Sequence, residues 1–191
     1  MRKLKPACIL FLLIISTGMG FAQQNQKRED WAFQSINNMG LLVGQTGPAF
    51  QLQSINGARY KSWFAGLGVG LDDYRFRTIP LFVDLRKDFG HSHHSIFAYA
   101  DGGISISWVT NQEKMAYTHE DFSNGFYDDI GIGYKIVLGK NALQCSLGYS
   151  NKKIADTYSS PFYNVDLPPV LAPQTIHYSL NRVSIKLGWS F

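Results

Sequence analysis

The sequence predicts an all-β chain, an antiparallel transmembrane β-barrel of about eight strands in up-and-down order. Three observations predict it. Segment after segment alternates apolar and polar residues with period two, and in the four clearest segments the apolar-face residues named below carry no charge. No run after residue 22 reaches the ~20 consecutive apolar residues of a membrane helix, so any crossing of a membrane falls to strands. The connections between segments also follow a parity, compact at one end and long at the other, as around an outer-membrane barrel.

The first element is a leader. "MRKLKPACILFLLIISTGMGFAQQ" has a basic start (Arg2, Lys3, Lys5), an apolar run from Ala7 to Ile15, and small residues at Gly20 and Ala22. This is the pattern of a secretory signal peptide, residues 1–22, cut after Ala22. Residues 23–32 are expected to form a short periplasmic segment and residues 33–191 the barrel. Cleavage removes three of the positive charges behind the net +4 and leaves +1, so the basic balance is no nucleic-acid footprint. Of the two cysteines, Cys8 leaves with the leader and Cys145 stays. No intramolecular disulfide is then available to hold an exported domain, whereas a barrel pairs every backbone group without one.

The strands follow in order. Three softer ones are read around Phe33 to Gly44, Pro48 to Asn56 and Lys61 to Leu71. In "TIPLFVDLRKDF", Leu81, Val83 and Leu85 oppose Phe82, Asp84, Arg86 and Asp88. In "SIFAYADGGISISW", Ile96, Ala98, Ala100, Ile104, Ile106 and Trp108 oppose Phe97, Tyr99, Asp101, Ser105 and Ser107. In "YDDIGIGYKIVLG", Ile130, Ile132, Tyr134, Ile136 and Leu138 oppose Asp129, Gly131, Gly133, Lys135 and Val137. "ALQCSLGYS" sets Leu143, Cys145, Leu147 and Tyr149 against Gln144, Ser146, Gly148 and Ser150. The last strand, "VSIKLGWSF", ends the chain on an aromatic residue, with Val183, Ile185, Leu187, Trp189 and Phe191 on one face.

Between them, the second, fourth and sixth connections read "GARYK", "GHSHHS" and "GKN". The fifth and seventh, "NQEKMAYTHEDFSNGF" and "NKKIADTYSSPFYNVDLPPVLAPQTIHYS", are long and are assigned to the outer side. If the apolar faces meet lipid, Asp84, Arg86, Asp101, Asp129, Lys135, Arg182 and Lys186 point inward. An eight-strand ring has room only for its own side chains, so these mixed charges are expected to pair into a polar plug rather than line a pore. Inward glycines (Gly66, Gly68, Gly70, Gly103, Gly131, Gly133) make room for bulky Phe64, Tyr99 and Arg182. "GLGVG" is no nucleotide loop, because "LDDYRFR" and Pro80 follow it where a helix is required.

"SINGARY" leading into "FAGLGVGLDDY", then "IPLFVDLRKDF", "FAYADGGISISW" and the aromatic C-terminus together resemble the small outer-membrane β-barrel proteins of Bacteroidota, related in architecture to OmpA/OmpX-type barrels. The resemblance covers most of the chain after the leader and implies a fold and an outer-membrane location. It also implies outer-membrane lipids and the barrel-assembly machinery as partners. That family's terminal assembly signal has aromatic or apolar residues at the last and third-last positions, matched by Phe191 and Trp189. The family's glycine lies a little earlier than Gly188, a departure from the pattern.

Candidate chemistry is sparse. His177 and Ser179 of "IHYS" share one side of a strand and resemble the His-x-Ser of lipid A deacylase barrels, in which the serine is nucleophile and the histidine its base. No acid follows His177, so the third group would come from elsewhere, such as Asp166. His91, His93 and His94, with Asp88 near, are a weak metal set at a turn, as are His119, Glu120 and Asp121 in a loop; a solvated polar turn accounts for both. The expectation is a non-enzymatic outer-membrane barrel without cofactor, with a structural role or an extracellular ligand bound through its long loops. A lipid A hydrolase using His177 and Ser179 is one alternative. A soluble lipocalin-like carrier, apolar face inward around a ligand, is the other.

Overall fold

A computed structural model describes residues 31–44, 47–73, 77–90, 93–108, 119–122, 124–162 and 170–191. Its strands are β1 (Trp31–Gly44), β2 (Gly47–Tyr60), β3 (Trp63–Asp73), β4 (Arg77–Phe89), β5 (His94–Ser107), β6 (His119–Phe122), β7 (Gly125–Leu138), β8 (Asn141–Phe162) and β9 (Val170–Ser190). Every pairing is antiparallel. Eight of the nine form a closed meander in the order β8-β7-β5-β4-β3-β2-β1-β9, with β9 returning to β8. Closure removes the sheet edges, the strand groups that would otherwise stay unpaired.

The seam lies between β1 and β9, from Ile36 opposite Ser190 to Val43 opposite Val183. Phe191 extends it: its N–H donates to the Ser35 carbonyl at 3.0 Å, and its carbonyl accepts from the Ser35 N–H at 2.9 Å. The expected parity of the strands is the observed one. Along β3 the pattern is strictly alternate, with Phe64, Gly66, Gly68, Gly70 and Asp72 inward and Trp63, Ala65, Leu67, Val69 and Leu71 outward.

The connections depart from expectation in two places. "GARYK" is not a loop: β2 runs through it to Tyr60, and only Lys61 and Ser62 turn the chain. Gly57 reads as turn punctuation, yet it stands opposite Gly66 across two closely approaching strands. A Cβ there would sit 2.8 Å from the Ala65 carbonyl carbon. The turn residue is Lys61, which holds the left-handed backbone (φ 53°) of a tight hairpin.

The seventh connection is also mostly strand. The β8–β9 ladder runs on past the barrel, from Asn151 opposite Asn181 to Phe162 opposite Val170. Each further antiparallel pair satisfies backbone groups that a loop would leave to water, and this outweighs the turn-like composition around Pro161 and Pro173. β6, inside the fifth connection, adds to the same extension by pairing His119–Phe122 with Asp156–Ser159 of β8. The two long connections therefore meet in one extension at the end opposite Phe191.

Candidate functional site

All seven inward charges are buried: Asp84, Arg86, Asp101, Asp129, Lys135, Arg182 and Lys186. Strand register brings three of them side by side, since Asp84 of β4 faces Asp101 of β5, which faces Asp129 of β7. Two cations answer the three carboxylates. Arg86 forks onto Asp84, with Nε 2.9 Å from both oxygens and Nη2 at 2.8 Å from one. Its Nη1 donates to Gln144 Oε1 at 3.0 Å. Lys186 reaches from β9 to Asp129 at 3.0 Å and Asp101 at 3.4 Å, with its ammonium 4.4 Å from the centre of the Tyr99 ring. The Tyr99 hydroxyl donates to Asp129 at 2.9 Å and Ser184 Oγ donates to it at 3.1 Å. Buried charges persist in such a place only when paired and hydrogen-bonded.

Two further tiers flank this one. Toward the Phe191 end, Asp88 is held between Arg59 and Lys135. Toward the extension, Lys152 of β8 binds both oxygens of Asp72 at 2.6 and 2.7 Å and the Thr78 hydroxyl at 2.6 Å. Arg182 ties β9 to the β1–β2 turn: its Nη1 donates to the carbonyls of Gly47 at 2.8 Å and Leu42 at 3.2 Å.

Asp72, Lys152 and Arg59 are the members that sequence reading passed over. Parity alone places Asp72 with Gly66, Gly68 and Gly70, and Lys152 with Gln144, Ser146 and Ser150. Each lies just past the point where a strand was judged to end, and Arg59 lies in the misread turn.

Between the tiers the interior is filled by Ile36, Ile55, Phe64, Phe82 and Tyr127. The Tyr99 ring lies over a glycine, as the alternation requires: a Cβ on Gly131 would be 2.7 Å from Tyr99 Cε1. Beside Arg86, Phe64 and Phe97 the residual cavity is about 10 Å³, roughly the room of one water.

The outer wall has the opposite character. Across β7, β8 and β9 the outward residues stack in rows: Ile136–Leu143–Trp189, Tyr134–Cys145–Leu187, Ile132–Leu147–Ile185 and Ile130–Tyr149–Val183. The next rows turn polar, Asp128–Asn151–Asn181 and then Phe126–Lys153–Ser179. The apolar rows face outward into the surroundings, with Ile132 62 % exposed and, on β3, Leu67 71 %. At the Phe191 end the wall finishes in rings: Trp31 packs on Tyr60 at 4.7 Å, and Lys87 lies 4.7 Å from the Trp63 ring centre. Trp108 marks the other end with Arg77 5.9 Å from its ring. An apolar band bounded by aromatic girdles is the signature of a barrel wall in lipid, and the inward-greasy arrangement of a lipocalin-type carrier is the reverse of this one.

His177 and Ser179 do share a face of β9, the outward one, above the apolar rows, and both are exposed. They line a cleft of about 330 Å³ with Phe126 and Lys153. Among the described residues no hydrogen bond joins them; Ser179 Oγ accepts from Asn151 Nδ2 at 3.5 Å. Asp166 lies outside the described residues, as does His91. His93 gives its carbonyl to the Val137 N–H at 2.8 Å, and the His94 ring stacks on Tyr134 at 6.0 Å. No group of three metal-ligating side chains occurs among the described residues.

The fold is similar to that of two solved outer-membrane proteins. Neisserial surface protein A, in its crystal structure, is 10 % identical, with a TM-score of 0.53 over 85 % of this chain and 96 % of its own. Outer membrane protein AlkL, solved by solid-state NMR in DMPC lipid bilayers, is 13 % identical, with a TM-score of 0.52 over 88 % of this chain and 95 % of its own. At these identities the likeness is one of fold. No protein-family model and no curated protein matches the chain.

Proposed function

We propose that the chain is a non-enzymatic outer-membrane barrel of a Gram-negative bacterium that acts outside the cell, through the extension built by β6, β8 and β9. On the strand motifs alone it belongs with the small barrels of Bacteroidota. Residues 1–22 direct its export, and Trp189 with Phe191 present the signal for insertion. The observation that carries the reading is the inversion of a soluble protein: paired charges inside, an apolar band outside whose flanking charges, such as Lys87 and Asp128, sit at its rims. With the interior filled, the barrel is an anchor and not a conduit, and what distinguishes it from a minimal barrel is the hairpin rising from one side.

Reconstitution into a planar bilayer tests this reading. The expected result is a membrane-inserted protein without stable channel conductance; steady single-channel steps would mean that the ion-pair tiers open and that transport is the function.

The hydrolase reading keeps one point in its favour, the cleft that His177 and Ser179 share at the level where the wall turns polar. Comparing lipid A acylation in cells carrying wild type or Ser179→Ala decides it. No change is expected, because Ser179 lacks the histidine contact that makes a nucleophile.

A further inference from the structure

One part of the outer wall breaks the apolar pattern. On β1 and β2 the outward residues Asn37 and Ser54 stand directly opposite each other, and Asn56 is the next outward residue on β2. Among the described residues none of the three side chains has a hydrogen-bond partner. Asn37 and Ser54 form the floor of a shallow groove of about 810 Å³ walled by Met39, Leu52, Val69, Leu187 and Trp189. Asn37 lies six residues along β1 from Trp31, and Ser54 six along β2 from Tyr60. At ~3.4 Å per residue and a tilt near 45°, that is ~14 Å above those two rings and inside a band ~25 Å tall, with Trp189 directly opposite Asn37 across the β1–β9 seam.

We infer that this patch is the contact face for a second copy of the chain within the membrane. The inference rests on the membrane reading above. Lipid tails offer no hydrogen bonds, so amides and a hydroxyl facing them are left unsatisfied at that depth. Asparagine and serine side chains each donate and accept, so the patch is complementary to itself about a two-fold axis. It holds no charge, so two copies do not repel. The short side chains of the floor leave the groove as room for side chains from the facing copy. The β7–β8–β9 wall, with its four apolar rows, has no such feature and faces lipid alone.

The test uses the full barrel, labelled with donor and acceptor dyes and reconstituted into phosphatidylcholine vesicles at increasing lipid dilution. Energy transfer should persist at dilutions where random proximity gives none. Asn37→Leu with Ser54→Val should weaken the association ~10-fold or more, given the modest strength of each membrane hydrogen bond, while Leu147→Ala leaves it unchanged. Wild-type transfer no greater than random, or a double variant that associates like wild type, overturns the proposal; lipid then covers the patch. A second measurement covers a variant that fails to fold. In a Cys145→Ser background, Ser54→Cys or Asn37→Cys should give a disulfide-linked dimer in native membranes and Leu147→Cys should not; absence of any crosslink also overturns it. Wild-type protein that stays in the aqueous phase instead removes the membrane reading itself.

Discussion

Replacing Lys186 with Met is expected to destabilise the folded barrel by about 3–5 kcal/mol, read as a lower urea midpoint in detergent micelles with an unchanged slope. Methionine keeps most of the side-chain volume, so the loss is one of charge. Lys186 is the cation shared by Asp129 and Asp101, and it is buried together with both. Without it, the row Asp84, Asp101 and Asp129 keeps only Arg86, which is already forked onto Asp84. The sign of the second arm makes the test specific. Asp129→Asn and Asp101→Asn added to Lys186→Met should recover much of the loss, because a buried pair removed whole costs far less than a pair broken. A Lys186→Met barrel as stable as wild type would mean that water reaches the interior freely.

Ile132→Arg is expected to cost about 2–4 kcal/mol in lipid, the cost of an arginine at mid-bilayer on a barrel wall, against about 0–1 for Asn151→Arg two rows further out. Both positions face outward on neighbouring strands, and they differ in depth. For a water-soluble barrel the same Ile132→Arg would fall within about 0.5 kcal/mol of wild type, as surface substitutions do. The contrast between the two positions therefore measures the medium around the wall as well as the residue. Equal, small effects at both would place the wall in water.

Much of this architecture was legible in the residues, for a physical reason: strand parity is a strict period of two, so one well-read stretch such as "IGIGYKI" assigns every side chain of β7 to lumen or wall. The same rule sent all seven charges inward. Two things were not legible. Glycine marks close approach as readily as a turn, and Gly57 facing Gly66 is the former, which hid the last residues of β2 and with them Arg59. Proline and serine suggest a loop, yet β8 and β9 continue through them, because a hairpin already zipped by the barrel extends at little further entropic cost. Parity also assigns a face without a partner. That Lys152 would meet Asp72 eighty residues away, or that Arg182 would reach the Leu42 and Gly47 carbonyls, depends on barrel stagger, which no single strand encodes.

The His-x-Ser pair illustrates the remaining gap. Spacing alone put His177 and Ser179 on one side of a strand, and so they are. Chemistry needs a hydrogen bond between base and nucleophile and an acid behind the base, and the described residues supply neither. Asn37 and Ser54 drew no notice in the sequence for the opposite reason, since they look ordinary until β1 and β2 are registered against each other and set within the apolar wall.

The most direct test of the membrane barrel is electrophoretic. Outer-membrane fractions are extracted in detergent and run unheated beside boiled. A closed ring of eight strands joined along the β1–β9 seam resists the detergent cold, so the unheated band is expected to migrate apart from the boiled one, with the protein confined to the outer-membrane fraction. A single band at both temperatures, with the protein recovered in the soluble fraction, would contradict the account.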